Sequence, residues 1–254
     1  FSVWEVWGAL CSGGRLVVVP WEVSRQPAQF SELLQQTGVT VLNQTPSAFY
    51  TLSDILLVEQ PSLSLRVVIF GGEALDLSRL QPWVAHYGDA YPQLVNMYGI
   101  TETTVHVTHR RVELSDVQQD HSFIGQPLSD LSLYVLDNHQ QPVPLGVVGE
   151  LCVAGGGVSA GYLNQSELTS AHFIHPTWLA KRQVLYRSGD LARRLDSGEL
   201  VYMGRSDKQL KIRGFRIEPG EVSAVLQRHN AVQDVLVCLR DERLVAWFVC
   251  ATNA

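Results

Sequence analysis

The 254-residue sequence lacks several features that would place it in a specialised class of protein. No apolar run is long enough to cross a bilayer and no secretory signal is present, so neither a membrane span nor export is predicted. Lys and Arg number 19 against 25 Asp and Glu, and the net charge of −6 gives no electrostatic basis for nucleic-acid binding. The remaining composition, 46% hydrophobic and 17% charged, is typical of an ordinary globular protein.

Cysteine is scarce, and its spacing excludes the usual metal and redox motifs. The four cysteines stand at positions 11, 152, 238 and 250, and no pair has CxxC or metal-ligand spacing. Cys152, Cys238 and Cys250 lie inside apolar runs, which indicates small core residues. The pattern favours a reducing compartment, and we predict a cytoplasmic location.

Helical and strand patterns alternate over about residues 1–106. Predicted buried strands cover residues 16–19, 39–42, 66–70 and 94–97. Predicted helices cover residues 2–11 (as a buried helix) and 27–37, and begin at Pro46, capped by Thr45, and at about Leu77. This alternation predicts an α/β layer, a parallel sheet with flanking helices, in which ligands bind at the carboxyl ends of strands.

The pattern changes after residue 106. Short strands at 131–136, 150–153, 184–186 and 200–202, separated by Gly and Pro turns, predict an antiparallel β subdomain over about 107–206. A helix at about 166–173 interrupts it. Residues 207–254 predict the start of a small C-terminal α+β subdomain, with strands at 209–212, 233–240 and 243–250 and a helix at 219–229. Both ends are expected to cut through a larger fold.

The stretch Asn96–His106 carries the richest chemistry. Gly99 permits a sharp turn after a buried strand, Tyr98 offers a flat ring, and Asn96 offers an amide with donors and acceptors. Glu102 offers a carboxylate for Mg²⁺, and hydroxyls for a phosphate come from Thr101, Thr103 and Thr104. These residues suit a nucleotide site, although this stretch taken alone slightly favours a Thr-rich turn without a function.

Three further motifs have a functional and a structural interpretation. Asp190 follows a glycine turn and could accept two ribose hydroxyls, or it could be an ordinary turn residue. The charged, glycine-rich segment 204–222 predicts either a hinge that moves cations toward a phosphate or a solvated hairpin. Its basic cluster includes Lys208, Lys211, Arg213 and Arg216. The run 155–157 of three glycines is best interpreted as a structural turn because no Lys-Ser/Thr follows it.

Taken together, these motifs resemble the adenylation domains of nonribosomal peptide synthetases, within the acyl-adenylate-forming superfamily. The resemblance covers the whole chain, and five segments follow the order of the family's core motifs: Phe1–Glu5, Asn96–Glu102, Gly149–Val153 with Gly161–Leu163, Tyr186–Leu191 and Gly204–Glu221. It implies that an amino acid and ATP react to an aminoacyl-AMP, with Mg²⁺ as the second cofactor, and that the acyl group then passes to a carrier-protein thiol.

The resemblance also assigns roles to single residues. The implied catalytic residues are Thr101 at the α-phosphate, Glu102 as the Mg²⁺ ligand and Arg205 close to the ribose and phosphate. The implied nucleotide-binding residues are Gly72, Glu73, Asn96, Tyr98, Gly99, Asp190 and Tyr202. Asp207, with Lys211 nearby, would form the hinge between residues 1–206 and 207–254.

The implied substrate-binding positions form a string similar to the family's threonine code: Phe1, Trp4, Asn43, Ile69, Gly71, Met97, Val105 and His106. Asn43 and His106 could hold one side-chain hydroxyl, while Ile69 and Val105 could face a methyl group. We therefore expect L-threonine or a similar small amino acid as the substrate. The implied partners are a peptidyl carrier protein with a phosphopantetheine arm, a neighbouring condensation domain and, as a further candidate, a small activating protein.

The chain departs from the family pattern at several points. Ile100 replaces a usual Pro, Ser159-Ala160 a common Ala-Arg, and Pro219 a usual Leu. The sequence contains no phosphate loop ahead of Phe1, no aspartate for the substrate amine and no final-motif lysine, so this fragment alone is expected to be inactive. Two alternatives stay open: an acyl- or aryl-CoA ligase of the same superfamily, and a non-catalytic nucleotide-binding scaffold.

Overall fold

The computed structural model describes residues 1–119, 121–179, 183–207, 209–212, 214–240 and 243–251. The α-helices in this part of the chain are α1 (Ser2–Cys11), α2 (Trp21–Ser24), α3 (Pro27–Thr37), α4 (Pro46–Glu59), α5 (Gln81–Tyr87), α6 (Ser166–His172) and α7 (Pro219–Leu226). Short 3-10 helices span Leu77–Leu80, Thr101–Thr103 and Asp116–Gln118. None of the described helices combines the length and apolarity needed to cross a membrane.

The strands of the described residues form one large sheet and two hairpins. They are β1 (Val41–Gln44), β2 (Val67–Phe70), β3 (Gln93–Asn96), β4 (Thr108–Val112), β5 (Phe123–Pro127), β6 (Leu131–Leu136), β7 (Val148–Gly155), β8 (Phe173–Ile174), β9 (Leu185–Arg194), β10 (Leu200–Arg205), β11 (Leu210–Ile212), β12 (Phe215–Ile217), β13 (Val232–Arg240) and β14 (Arg243–Cys250). The large sheet has ten strands in the order β1-β2-β3-β4-β5-β10-β9-β7-β6, and β8 pairs with β9.

The first three strands are parallel, and their register aligns the candidate site. Asn43 pairs with Ile69, which pairs in turn with Val95, so the carboxyl ends of β1, β2 and β3 lie along one edge. Helices α3, α4 and α5 pack over this part, with Phe49, Phe70 and Trp83 in the largest buried cluster. The predicted mixed α/β fold with parallel strands and flanking helices is confirmed.

From β4 onward the sheet is antiparallel, which agrees with the predicted change of pattern after residue 106. Strand β4 pairs with β3 on one side and with β5 on the other, so the pairing continues from the parallel to the antiparallel part. A second buried cluster, with Leu151, Val153 and Leu200 at its centre, fills the antiparallel part. The hairpins β11–β12 and β13–β14 follow, with α7 between them. The boundaries placed at residues 106 and 206 stay a prediction.

Several predicted elements need correction. The run 16–19 forms no strand: it pairs with none of the described strands, and the sheet ends at β1. Helix α1 forms as predicted but buries none of its residues. The strand predicted at 39–42 begins at Val41 because Val39 still donates to the carbonyl of Leu34 in the cap of α3. Helix α7 ends at Leu226 rather than at residue 229.

Candidate active site

One pocket opens at the carboxyl ends of β2 and β3. It is lined by Gly72, Glu73, Ala74, Asn96, Met97, Tyr98, Gly99, Ser122, Ile124 and Tyr202. Six of the seven predicted nucleotide-binding residues therefore share this lining, although they come from chain segments that are 130 positions apart at the extremes (72 to 202). The seventh, Asp190, lies beneath the pocket and is contacted through Tyr98 and Tyr202.

The amide of Asn96 is held in one orientation. Its Nδ2 donates to the backbone carbonyl of Phe123 at 2.7 Å, and a carbonyl oxygen can only accept, so Nδ2 must face Phe123. The buried side chain is therefore fixed before any ligand arrives. Its Oδ1 is the atom that can accept a hydrogen bond from a ligand in the pocket.

Asp190 is fully buried beneath the pocket and receives several hydrogen bonds. The Tyr98 hydroxyl donates to its Oδ2 at 2.7 Å, Arg205 Nη1 donates to its Oδ1 at 2.8 Å, and the Tyr202 hydroxyl reaches Oδ1 at 3.4 Å. Burial and the negative charge of Asp190 raise the pKa of Tyr98, so its phenol stays protonated and donates. Arg205 also donates to both carboxylate oxygens of Asp207, at 2.7 and 2.6 Å.

The turn that carries Asp190 is fixed by its neighbours. The Ser188 hydroxyl donates to a backbone carbonyl of β7 at 2.5 Å and accepts from the backbone N–H of Asp190 at 3.0 Å. Glu150 accepts from the backbone N–H of Gly189 at 3.1 Å and forms an ion pair with Arg187 at 2.6 Å. Strand β7 thus positions the carboxylate through side-chain contacts that the sequence motifs did not predict.

Glu102 is neutralised by an arginine from the β11–β12 hairpin. Arg216 Nη1 donates to Oε1 at 2.8 Å and to Oε2 at 2.7 Å, and the Tyr162 hydroxyl donates to Oε1 at 2.8 Å. Tyr162 contacts the Tyr186 hydroxyl at 3.1 Å. The structural interpretation of segment 204–222 predicted a solvated hairpin. Arg216 contradicts that prediction, because its guanidinium is paired with Glu102. It is held at the candidate site through Glu102.

The donor chemistry at Glu102 fits Mg²⁺, which binds through one or two carboxylates together with substrate phosphates. Both carboxylate oxygens, however, accept from the guanidinium of Arg216 in this structure. Mg²⁺ and Arg216 are consequently alternatives at the same carboxylate. No cluster of three or more His, Cys, Asp or Glu residues with metal-binding geometry occurs among the described residues.

Arg216→Ala is expected to lower the free energy of unfolding by about 2 kcal/mol at pH 7, because it leaves the buried Glu102 carboxylate without its cation. Burial raises the pKa of Glu102, but the hydrogen bond and charge of Arg216 outweigh it and hold this pKa below 4.5. A depressed carboxyl pKa stabilises the fold above the unfolded value and loses this contribution as the pH falls through the folded value. The difference between wild type and variant should therefore shrink below pH 4.5.

Urea unfolding at pH 7 and at the lowest pH that still gives a cooperative transition measures this difference. Arg228→Ala, which changes an exposed arginine in the same subdomain, should cost about 0.5 kcal/mol or less at either pH. A cost for Arg216→Ala that is the same at both pH values would show that the arginine acts through packing and not through its charge.

A second set of predicted residues meets beside this pocket. Trp4 Nε1 donates to Asn43 Oδ1 at 3.2 Å, the rings of Phe1 and His106 lie 5.7 Å apart, and Trp4 meets His106 edge-on at 5.3 Å. Gly71 lies under the Phe1 ring, where an added Cβ would come within 2.9 Å of a ring carbon. Four chain segments thus meet at the carboxyl ends of β1 and β2.

His106 is the least satisfied polar side chain of this set. It is 5% exposed, and its Nε2 has no hydrogen-bond partner among the residues that the structure describes. Burial lowers its pKa to about 4, so the imidazole is neutral at pH 7 and has one nitrogen that can accept a hydrogen bond.

A left-handed turn places His106. Thr104 and Val105 have φ of 62° and 67°, which is rare for a β-branched residue such as Val105. The turn folds back over Gly99, and the backbone N–H of Val107 donates to the Tyr98 carbonyl at 2.7 Å. The Thr104 hydroxyl donates to the carbonyl of Gly157 at 2.7 Å, so the triple-glycine run supports this turn.

The other predicted residues have these positions. Ile69 and Met97 form a small buried cluster with Val95, and Thr101 begins a 3-10 helix with its side chain exposed. The backbone of Lys211 pairs with Arg216 in the β11–β12 hairpin, while its side chain lies outside the described residues. The sequence assigned no role to several residues near the candidate site. Those inside the matched motifs are Glu150, Tyr162, Tyr186, Ser188 and Arg216, and those outside them are Ala74, Ser122 and Ile124.

Comparison with known proteins assigns the chain to a class. The family of AMP-binding enzymes matches residues 1–163, and the chain belongs to this family. It is 51% identical to the dimodular nonribosomal peptide synthase of Bacillus subtilis (strain 168) over 98% of this chain and 11% of that protein. It is 46% identical to syringomycin synthase SyrB1 of Pseudomonas syringae pv. syringae, again over 98% of this chain, and covers 41% of that protein.

The solved structures agree with this assignment. PA1221, a protein with adenylation and PCP domains, matches with a TM-score of 0.84 at 28% identity, over all of this chain and 51% of that chain. A four-domain nonribosomal peptide synthetase, AB3403, bound to AMP and glycine, matches with a TM-score of 0.72 at 36% identity, over 97% of this chain and 18% of that chain. The chain thus spans about half or less of these relatives.

Proposed function

We propose that this chain is the central part of an amino-acid-activating adenylation domain of a nonribosomal peptide synthetase. The observation that supports it most is the convergence of Tyr98, Asp190 and Tyr202 at one pocket, beside a second cluster of predicted residues around His106. In the proposed reaction a carboxylate oxygen of the amino acid attacks the α-phosphorus of ATP. The bond to pyrophosphate breaks, and an aminoacyl-AMP forms.

Different residues of the pocket are proposed to bind the base and the ribose of the nucleotide. Tyr98 and the oriented amide of Asn96 face the base, with the Gly72-Glu73 rim between base and amino acid. Asp190 accepts the ribose hydroxyls, which requires its present donors, including Arg205, to release one of its oxygens. The fixed orientations reduce the entropy that the substrates lose when they are aligned.

Binding of the ATP phosphates is proposed to depend on positive charge at the site. Thr101 offers an exposed hydroxyl, Arg205 offers a guanidinium and Glu102 would hold Mg²⁺ once Arg216 has withdrawn. When bound, the metal would supply positive charge to the phosphate oxygens. Asp207 lies between the two parts that have to move for this exchange, and it is paired with Arg205 in the present arrangement.

L-threonine is the proposed amino acid. Asn43 and His106 are the polar groups of this second cluster, and Phe1, Trp4 and Gly71 would limit the size of a bound side chain. A site that hydrogen-bonds a hydroxyl rejects an analogue lacking it on the order of 10⁴-fold, whereas one methyl group changes the rate only roughly 10- to 200-fold. Threonine should therefore be strongly preferred to valine and weakly preferred to serine.

Acyl transfer to a carrier protein is the proposed next step. The relatives that support it are synthetases, and PA1221 combines adenylation and PCP domains in one protein. The thiol of a phosphopantetheine arm would attack the aminoacyl-AMP, forming a thioester and releasing AMP. A neighbouring condensation domain and a small activating protein are further proposed partners, and the compartment is proposed to be the cytoplasm.

Amino-acid-dependent exchange between ATP and pyrophosphate tests the proposal. The assay is run on this chain and on the full-length gene product that carries it, with Thr, Ser, Val or no amino acid. Strong exchange with Thr, weaker exchange with Ser and background exchange with Val are expected in the full-length product. Background exchange is expected for the 254-residue chain alone.

Each other outcome changes a specific part of the proposal. Exchange by the 254-residue chain would show that adenylation needs no segment beyond it. Absence of amino-acid-dependent exchange in a folded full-length product would remove the threonine assignment. Adenylation of a simple carboxylic acid in its place would favour the CoA-ligase alternative, and binding of ATP without any exchange would favour the scaffold.

A further inference from the structure

Ser122 lines the pocket at the carboxyl ends of β2 and β3, although it lies outside every matched motif. It stands directly before β5, and Ile124, two positions further along the same face, lines the pocket as well. Phe123, between them, packs in the largest buried cluster instead. The alternation of an extended chain therefore presents Ser122 to the pocket.

Two main-chain hydrogen bonds hold Ser122 in place. Its backbone carbonyl accepts from the N–H of Tyr202 at 2.9 Å, and its Oγ accepts from the N–H of Leu75 at 3.2 Å. Leu75 directly follows the pocket residues 72–74, so Ser122 connects this rim with β10. Its hydroxyl is therefore placed before any ligand binds.

The hydroxyl of Ser122 still has its proton to donate. A hydroxyl has one proton and two acceptor positions, and the N–H of Leu75 uses only an acceptor position. Among the residues that the structure describes, none accepts this proton. The half-buried serine therefore adds a free hydrogen-bond donor to the lining of the pocket.

Asn96 has the opposite polarity in the same lining. Its Nδ2 is engaged by the carbonyl of Phe123, the residue after Ser122, and its Oδ1 is left as an acceptor. Adenine presents an amino group beside ring nitrogens that accept, whereas guanine has a carbonyl oxygen in place of that amino group. An acceptor from Asn96 and a donor from Ser122 therefore match adenine.

We propose that Ser122 is a specificity-determining residue for the base of ATP: its hydroxyl donates to a ring nitrogen beside the adenine amino group, while Asn96 accepts from the amino group itself. This inference deepens the proposed function and rests on its nucleotide site. Its new content is a second polar contact to the base from a residue outside the matched motifs. It does not depend on which amino acid is activated.

The consequence is a defect confined to nucleotide binding. The base does not change during the reaction, so its contact stabilises the ground state and the transition state equally. In the full-length gene product, Ser122→Ala should raise the KM for ATP roughly 5- to 10-fold, the value of one neutral hydrogen bond. The kcat and the KM for the amino acid should stay within about 2-fold of wild type.

ATP analogues test the atom that accepts the proton. In 7-deaza-ATP and 1-deaza-ATP, a C–H replaces one of the two ring nitrogens beside the amino group. One of them should have a KM roughly 5- to 10-fold above that of ATP in the wild type. In Ser122→Ala the same analogue should be within about 2-fold of ATP, because the two changes remove one contact. Ser132→Ala, at an exposed position of β6, should behave as the wild type does.

The outcomes separate this inference from the proposed function. A folded wild type without amino-acid-dependent exchange would overturn the proposed function, and calorimetry of ATP and the two analogues would still decide the role of Ser122. An active wild type in which Ser122→Ala weakens ATP and both analogues equally would overturn the base contact, since the serine would then act only by supporting the rim through Leu75. An unchanged KM for ATP in Ser122→Ala would overturn it as well.

Discussion

Gly99→Ala is expected to lower the free energy of unfolding by about 4 kcal/mol or more, which is at the upper end for a single substitution. A Cβ built at Gly99 would lie 1.9 Å from the carbonyl oxygen of Val105 and 2.7 Å from the Cα of His106. Both atoms are backbone, so no rotamer change can relieve the clash. The chain would have to lift the left-handed turn off Tyr98, and the hydrogen bonds to the Tyr98 carbonyl would break.

Urea unfolding followed by tryptophan fluorescence measures this effect, and Gly220→Ala provides the matched control. Gly220 lies in the first turn of α7, and no atom comes within 4 Å of a Cβ built there. Alanine at this position should be neutral or stabilising by up to about 1 kcal/mol. Costs for the two substitutions within about 1 kcal/mol of each other would mean that the turn does not pack on Gly99 in solution.

Asp190→Ala is expected to destabilise the chain by about 3 kcal/mol, because it removes the buried carboxylate to which two tyrosine hydroxyls donate and weakens the pairing of a buried guanidinium. Arg205 is only 8% exposed, and a guanidinium cannot escape burial by losing its proton. The same variant should not bind AMP measurably by calorimetry, since Asp190 is the proposed ribose acceptor.

Asp207→Ala is a sharp comparison, since it removes the second carboxylate that pairs with the same arginine. Asp207 is 43% exposed, and exposed ion pairs contribute about 0–1 kcal/mol. We expect Asp190→Ala to cost at least about 2 kcal/mol more than Asp207→Ala in urea unfolding at pH 7. Equal costs would contradict the claim that burial of Asp190 makes its ion pair the stabilising one.

The parts of the site that are local in sequence were predictable. The stretch from Asn96 to His106 combines a flat ring, an amide, hydroxyls and a carboxylate, and its predicted nucleotide-binding residues Asn96, Tyr98 and Gly99 line one pocket. The parallel sheet was predictable because alternating strand and helix patterns allow few arrangements, and a parallel sheet sets its strand ends side by side. The roles assigned to these residues remain proposals.

Contacts between distant segments were not predictable in the same way. Glu102 and Arg216 are 114 positions apart, and no periodicity connects a carboxylate in a 3-10 helix with a guanidinium in a hairpin. The contact of Glu150 with the turn before Asp190 depends on the register of β7 against β9, which a sequence pattern does not specify. The apolar run 16–19 was interpreted wrongly because hydrophobicity indicates a strand without supplying its neighbour.

The shared acceptor at Asp190 also constrains the order in which substitutions can accumulate at this site. If Arg205 is lost first, the buried Asp190 side chain keeps two other partners, because the hydroxyls of Tyr98 and Tyr202 still reach it. If Asp190 is lost first, Arg205 keeps its charge at every accessible pH, so a buried cation is left with a weaker set of partners. The two orders of substitution therefore differ in cost, and replacing Arg205 before Asp190 is the less destabilising order.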